Sequence, residues 1–538
     1  MLISQVKQKA TIFFHKPIVW WLIIFTISLS LRYWYSSTEL CFYTDQSRDA
    51  IVANQILQGE LKLFGPVVSG RGAVFHGVLY YYVIAPLYAL GGGNPLFVSV
   101  ALSLLSTVGL IPTYYLAKKL LKNEALAFVV IGMMGFSMSS IETSASFWNL
   151  QLSIVLLPAY CLYLYQIFEN TNSKNSFLTG IFLGLLVQSG FSNIQWFLPY
   201  VIVFGVLILK RSNIRKTLLH FALSLLGLVI ATSSMIIVEF LAYSRGLFAL
   251  EDSLHWVNGS GFSIQSLQSV LIWYFNSLTA FLIPQYSTIT MLMILITGLI
   301  VYRLRNDRRW LWLGLLLLPP IGGQIASNGA ASYILTGYES IFYILVVFVF
   351  SQTFYLAGKY LSVSNKRIIT LLLLTFFITS NIARLQQDKI SRETLACVWK
   401  ATNLEELEAI RYTYERADGE PFSIDIVAEP YGINMKYGYL YTWYGQEKYE
   451  YTPVFIGDSQ VGHPTEGLLE ETHNYSQVHF IVYEPGSYNY WFKRRTADAP
   501  ATRESQNLFY HRQPAVENLL ETTQFGELIM VDYYVSPQ

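Results

Sequence analysis

Up to Arg384 the chain is a succession of long apolar runs separated by short polar loops, and after it the pattern breaks into short alternating segments. Runs long enough to cross a bilayer are Pro17 to Leu31, Leu96 to Leu116, Ala125 to Ile141, Leu152 to Phe168, Phe177 to Gly190, Trp196 to Leu209 and Thr217 to Ala242. Ile289 to Tyr302, Trp310 to Ala326, Tyr333 to Leu356 and Ile368 to Ile382 follow, so the pattern predicts about eleven spans. Phe75 to Leu90 is equally apolar but carries Pro86 and the Tyr80-Tyr81-Tyr82 cluster, and reads as a helix lying in the interface. Tyr243 to Gln285 is mixed in polarity, and its amphipathic run Ile264 to Leu282 reads as a loop folded back on the membrane surface. Beyond Arg384, Asn403 to Ala417 has the cap and spacing of a helix, while Phe422 to Val427, Val478 to Tyr483 and Leu528 to Val535 read as strands. The expected fold class is a mainly α polytopic membrane protein with a C-terminal soluble α/β domain, divided at residues 1–384 and 385–538, with an outer loop over 33–95.

Composition agrees: 53% of the 538 residues are hydrophobic and only 13% charged, more apolar than a soluble core requires. A formal net charge of +1 gives no nucleic-acid footprint. Three cysteines, Cys41, Cys161 and Cys397, are too scattered for a disulfide framework or a zinc site, although Cys41 and Cys397 fall on the same expected side. No small-residue cleavage site follows Leu31, so the first run reads as a retained span.

Charge sets the expected orientation. Lys118-Lys119 with Lys122, Lys174, Lys210-Arg211 with Arg215-Lys216, Arg303 to Arg309, and Lys366-Arg367 fall in alternate loops, in phase with the basic N-terminus. Basic loops stay cytoplasmic, which puts the N-terminus inside a plasma (inner) membrane and the C-terminal domain outside it. Were Phe75 to Leu90 a span, every later basic loop would lie on the wrong side.

The most suggestive polar stretch, Tyr43-Thr44-Asp45-Gln46-Ser47-Arg48-Asp49-Ala50, lies in the first outer loop. With Thr44 as cap, a short helix continues through Ile51, presenting Asp45 at its N-terminus and Asp49 one turn along the same face. A helix N-terminus favours an ionised carboxylate, which suits Asp45 to accept a proton or hold a divalent cation such as Mg or Mn. The plain alternative is that Asp45 caps the helix and Asp49 pairs with Arg48 or solvent. Downstream, Arg71 between glycines can approach a phosphate, and His76 begins the juxtamembrane helix; lone cations at an interface also anchor to lipid headgroups.

These residues resemble the GT-C glycosyltransferase superfamily, in the acidic first-loop stretch, in Gly65-Pro66, and in the His76-Gly77 helix before a span ending in Lys118-Lys119. Within it they are similar to family 39, the protein O-mannosyltransferases and lipid A aminoarabinose transferases. Ser144 to Leu150 resembles the second outer loop of bacterial members, with Leu150 where the family has proline, and Gly77-Val78 replaces the usual Pro-Pro. The resemblance implies inverting transfer of a sugar from a polyprenyl-phosphate donor to a hydroxyl of a lipid, glycan or protein acceptor at the outer face. It implies Asp45 as base or polarising carboxylate with Asp49 in support, and Arg71 and His76 on the departing phosphate. Interfacial aromatics such as Tyr81 would hold the lipid chain, with Arg245, His255, Tyr338 and Glu339 as further substrate contacts. A transporter or lipid flippase is the rival class, but such proteins carry ionisable residues and repeats at mid-membrane, whereas here the polar sequence gathers in outer loops. A membrane-anchored binding module is the third.

Overall fold

The computed structural model describes residues 16–37, 40, 42–66, 75–145, 147–209, 214–244, 264–282, 303, 308–327, 332–356, 362–391, 402–428, 433–457, 459–484, 518–526 and 529–536. Their packing divides the chain into two compact units, one of Met1–Tyr35, Lys62–Tyr80 and Val100–Gln387, the other of Ser36–Leu61, Tyr81–Ser99 and Asp388–Gln538.

The first unit is helical. Among the described residues six helices are long and apolar enough to cross a membrane: Pro17–Ser36, Pro95–Leu121, Asn149–Glu169, Phe191–Leu209, Ile214–Ala231 and Ser364–Arg384. The pair Glu124–Phe136 and Met138–Ala145, bent by 54°, makes a seventh if it is one span. The chain is thus a multi-pass membrane protein. The bend has a local cause. Ser137 leaves the helical region (φ −67°, ψ 129°), Asn381 Oδ1 accepts from Met138 N at 2.8 Å, and Tyr343 Oη donates to Ser137 Oγ at 2.5 Å. The freed Met138 N–H is therefore satisfied by a side chain of a neighbouring helix, as hydrocarbon surroundings demand.

Several expected runs are redrawn. Thr217 to Ala242 is two helices, Ile214–Ala231 and Ser233–Ser244, broken at Thr232, whose hydroxyl bonds back to Leu228 O at 2.8 Å. The run Ile289 to Tyr302 lies outside the described residues. Leu79–Leu90 is a helix of 12 residues; at 1.5 Å per residue it reaches about 18 Å, well short of a ~30 Å hydrocarbon core. Ile264–Leu282 is one continuous helix rather than a surface loop, because Tyr274, Leu278, Phe281 and Leu282 form a buried stripe within the main apolar core.

Helices Ser173–Ser189 and Ile214–Ala231 approach so closely that glycine is required on both. A Cβ at Gly180 would collide with the backbone at Ser224 and Leu228, and one at Gly227 with the backbone at Phe177 and Ile181. Small residues that admit a neighbouring backbone are the usual basis of packing where lipid offers no hydrophobic drive.

The second unit holds a six-stranded mixed sheet: β1 (Phe422–Val427), β2 (Val454–Ile456), β3 (Glu471–Thr472), β4 (Val478–Tyr483), β5 (Leu519–Phe525) and β6 (Ile529–Val535), in the order β3-β2-β1-β4-β6-β5. β1 runs parallel to β2 and β4, with Ile424 opposite Phe480, and β6 is antiparallel to β4 and β5. Helix Asn403–Ala417 starts in a capping box in which Thr402 and Glu405 satisfy each other's backbone N–H groups. A buried ion cluster ties it to the end of β4. Lys436 Nζ pairs with Glu406, 2.9 Å from its Oε1, and donates to Glu484 Oε1, while burial pushes the Glu406 carboxyl above its ordinary range. The same unit takes in first-loop segments: Asn403 N donates to Leu40 O at 3.0 Å, Tyr439 Oη to Gly93 O at 2.6 Å and Trp443 Nε1 to Gly92 O at 2.8 Å.

Candidate functional site

The polar stretch after Tyr43 folds as a helix, Thr44–Leu57. Tyr43, not Thr44, is the residue before its first turn, and it makes no side-chain cap; Ser47 Oγ instead donates back to Tyr43 O at 2.9 Å. Asp45 stands in the first turn with its side chain 42% exposed, whereas Asp49 is only 2% exposed. The expectation of two carboxylates presented together is corrected in exposure, not in placement: the two lie one turn apart, but position 49 is covered by packing, Tyr81 among its partners, and is buried with Gln46, Ala50 and Ala53.

Arg48 joins the two. Its Nη1 donates to Asp45 Oδ1 at 2.8 Å, and its Nε and Nη2 both donate to Asp49 Oδ1, at 2.9 and 2.7 Å. Asp49 also takes a hydrogen bond from Tyr81. Burial raises the Asp49 carboxyl to about 6 even though Arg48 opposes that shift, and burial likewise lifts the Tyr81 phenol, with Asp49 adding to it. The result is one exposed carboxylate whose position is fixed by a guanidinium, itself anchored on a buried carboxylate and a tyrosine. Arg48 was legible only as a pairing partner for Asp49; the Asp45–Arg48 spacing of three residues was the signal for the second bond.

As a cation site the arrangement fits poorly. Arg48 takes up one oxygen of each carboxylate, and among the described residues no group of three or more His, Cys, Asp or Glu side chains comes together. A divalent ion needs about six oxygen ligands, so no step is routed through one.

The other expected residues are placed as follows. In the helical unit, His76 Nδ1 accepts from Phe191 N at 2.9 Å, which puts the proton of a neutral ring on Nε2. Tyr338 is fully buried, shares a 3.0 Å hydrogen bond between hydroxyls with Tyr274, and its ring lies 6.1 Å from that of Trp196. Glu339 is buried, with Oε1 accepting from Thr143 Oγ1 at 3.4 Å. Trp148-Asn149 enters a 3₁₀ turn after Phe147 at φ 38°, and the Asn149 amide donates to Ser189 O at 2.6 Å. Arg71, Arg245 and His255 lie outside the described residues, as do Cys41 and Cys397; Cys161 is a buried free thiol. One buried cation escaped the sequence reading. Arg32, in the last turns of Pro17–Ser36, donates to Ser140 Oγ at 2.8 Å and Gly135 O at 3.2 Å. An arginine at the end of an apolar run was its only signal.

Against solved structures the chain matches ArnT from Cupriavidus metallidurans bound to undecaprenyl phosphate, with a TM-score of 0.55 at 12% identity over 96% of this chain and 99% of that one. The same protein in its apo state matches at 0.53 and 11%, over 97% of this chain and all of the other. The Archaeoglobus fulgidus oligosaccharyltransferase in complex with Zn and sulfate matches at 0.50 and 13%, over 87% of this chain and 68% of that one. The chain has the GT-C fold. No family model matches it, and neither does any curated protein. The GT-C likeness extends over nearly the whole chain, so it takes in the sequence of both units, while identities this low speak to architecture alone.

Proposed function

We propose that this GT-C protein is a glycosyltransferase that moves a sugar from a polyprenyl-phosphate-linked donor to a hydroxyl of a lipid, glycan or protein acceptor on the outer face of the membrane. The observation that carries the reading is Asp45: an exposed carboxylate at a helix N-terminus, held by a guanidinium, in a chain whose fold matches a protein solved with undecaprenyl phosphate.

In the proposed step the acceptor oxygen forms a bond to the anomeric carbon as the bond from that carbon to the lipid phosphate breaks, with inversion. The acceptor proton passes to Asp45 or, through it, to solvent, and the polyprenyl phosphate leaves with the bonding electron pair. Arg48 holds the Asp45 carboxylate in place through one of its oxygens, which makes it a well-placed base. Asp49 and Tyr81 hold Arg48. We assign Arg71 and His76 to the charge that grows on the departing phosphate, where fixed donors stabilise a transition state most. Family 39 is not needed for this reading, and the sugar is left open by it.

The experiment is transfer from a radiolabelled polyprenyl-phosphate sugar in membranes carrying Asp45→Asn. The carboxamide keeps the shape and loses the base, so transfer is expected to fall about 10²–10⁴-fold, the usual range for a general base, with membrane insertion unchanged. Transfer at the parental rate would overturn the role of Asp45.

A further inference from the structure

In the helical unit three helix ends meet around a cavity of about 540 Å³: the last turns of Leu110–Leu121 and Ser153–Glu169 and the first turn of Ser173–Ser189. Lys118, Lys119 and Lys174 line it together with Tyr115, Tyr163 and Gln166, and Leu162 supplies an apolar wall. Three ammonium groups and two phenols around one opening is a donor-rich surface, and the nearest carboxylates are not part of it.

Those carboxylates hold two of the lysines only from outside. Lys118 Nζ meets Glu124 Oε1 at 2.7 Å and Lys119 Nζ meets Glu169 Oε2 at 3.7 Å, with all four side chains 42–46% exposed. Exposed pairs of this kind contribute little and exchange readily. Lys174 has no carboxylate partner among the described residues. The start of Ser173–Ser189 adds its helix N-terminus, where an anion is favoured.

The neighbouring surface decides what kind of anion. Ile111 and Tyr115, 42% and 52% exposed, stand one turn apart on the helix that ends in Lys118-Lys119, so an apolar track runs along the helix toward the lysines. A free anion has no use for that track, whereas an acyl chain does. We propose that this cavity binds the phosphate headgroup of an anionic phospholipid on the side of the membrane that carries the basic loops. Phosphodiester oxygens take the three ammoniums, the phenols and Gln166 hydrogen-bond the rest of the headgroup, and an acyl chain lies along Ile111 and Tyr115. Basic pockets between helices at this level suit such headgroups.

The test uses the full chain in nanodiscs of phosphatidylcholine with and without phosphatidylglycerol, reading bound lipid by native mass spectrometry and affinity by titration. Lys119→Gln with Lys174→Gln removes two charges, which at about 1 kcal/mol each predicts roughly 30-fold weaker retention of phosphatidylglycerol. Phosphatidylcholine binding and the far-ultraviolet helix signal stay unchanged, and Lys366→Gln, away from the cavity, leaves retention as it was. If the double variant fails to fold, Lys174→Gln alone, which breaks no ion pair, is read for a loss of about fivefold. Equal retention by variant and parent overturns the site, and competition by millimolar inorganic phosphate as strong as that by lipid overturns the assignment to a lipid.

Discussion

At the scale of the residue, Asp49 is displaced from its ordinary chemistry because its side chain is buried, while that of Asp45, four residues earlier, faces out. Its carboxyl stands at about 6, raised by burial from an ordinary 3.8. The folded protein therefore holds a proton on Asp49 between those values that the unfolded chain releases, and stability contributed by this group falls as pH rises from about 4 through 6. Activity runs the other way. Only the ionised carboxylate fixes Arg48, so transfer is expected to rise through an acid limb centred near 6, measured as initial rate against pH. In Asp49→Asn that limb disappears and the rate is low throughout; a limb that persists unchanged assigns it to another group. Sequence alone put Asp45 first and Asp49 in support, yet it could not show that Asp49 is buried. Which one is exposed depends on which helix face the rest of the unit covers, and that face is set by partners remote in sequence such as Tyr81.

Among the elements, the ones that local signals govern were legible. Asn403–Ala417 begins where its Thr402 cap and early glutamates say it should, and β1 and β4 coincide with the β-branched runs Phe422–Val427 and Val478–Tyr483. The bend at Ser137 was not, since the amide that catches the freed backbone, Asn381, lies 243 residues away. Helix pairing was equally hidden: Gly180 and Gly227 read as ordinary small residues in apolar runs until the two backbones are seen to meet. This makes a matched experiment. Gly227→Ala forces a Cβ onto backbone atoms of the facing helix and is expected to cost about 1–3 kcal/mol, the range for overpacking. Gly205→Ala, in Phe197–Leu209 with nothing within 4 Å of its Cβ, is expected to be neutral or slightly stabilising. Thermal unfolding of the purified variants in one detergent measures both, and equal midpoints would show that the close approach is not what holds the pair.

For the whole molecule, the division into units bears on what the C-terminal sequence is for. If the chemistry lies in the loop that carries Asp45, what matters is whether that loop stands without the C-terminal sequence. The structure places the loop helix Thr44–Leu57 and the segment Tyr81–Ser99 in the same compact unit as Asp388–Gln538. Phe42 packs its ring 5.6 Å from Tyr439, and the backbone at Leu40, Gly92 and Gly93 accepts hydrogen bonds from Asn403, Trp443 and Tyr439. Apolar and polar contacts together hold the loop, so removing residues 388–538 strips the Asp45 helix of its packing partners. A helix of 14 residues is marginal without such contacts. A chain ending at Gln387 is accordingly expected to insert into membranes but to expose the 44–57 helix to protease and to lose transfer. Tyr439→Phe with Trp443→Phe keeps an aromatic ring at each position and removes the hydrogen bonds to Gly93 O and Gly92 O and the one between Tyr439 and Asn54, a loss of about 1 kcal/mol apiece that should speed cleavage at the loop and leave the helical unit intact. Limited proteolysis reads the loop's order independently of sugar transfer. A truncated chain whose loop stays protected would make the C-terminal sequence a separate module. One whose loop opens while transfer continues would remove the chemistry from Asp45 and return it to the helical unit.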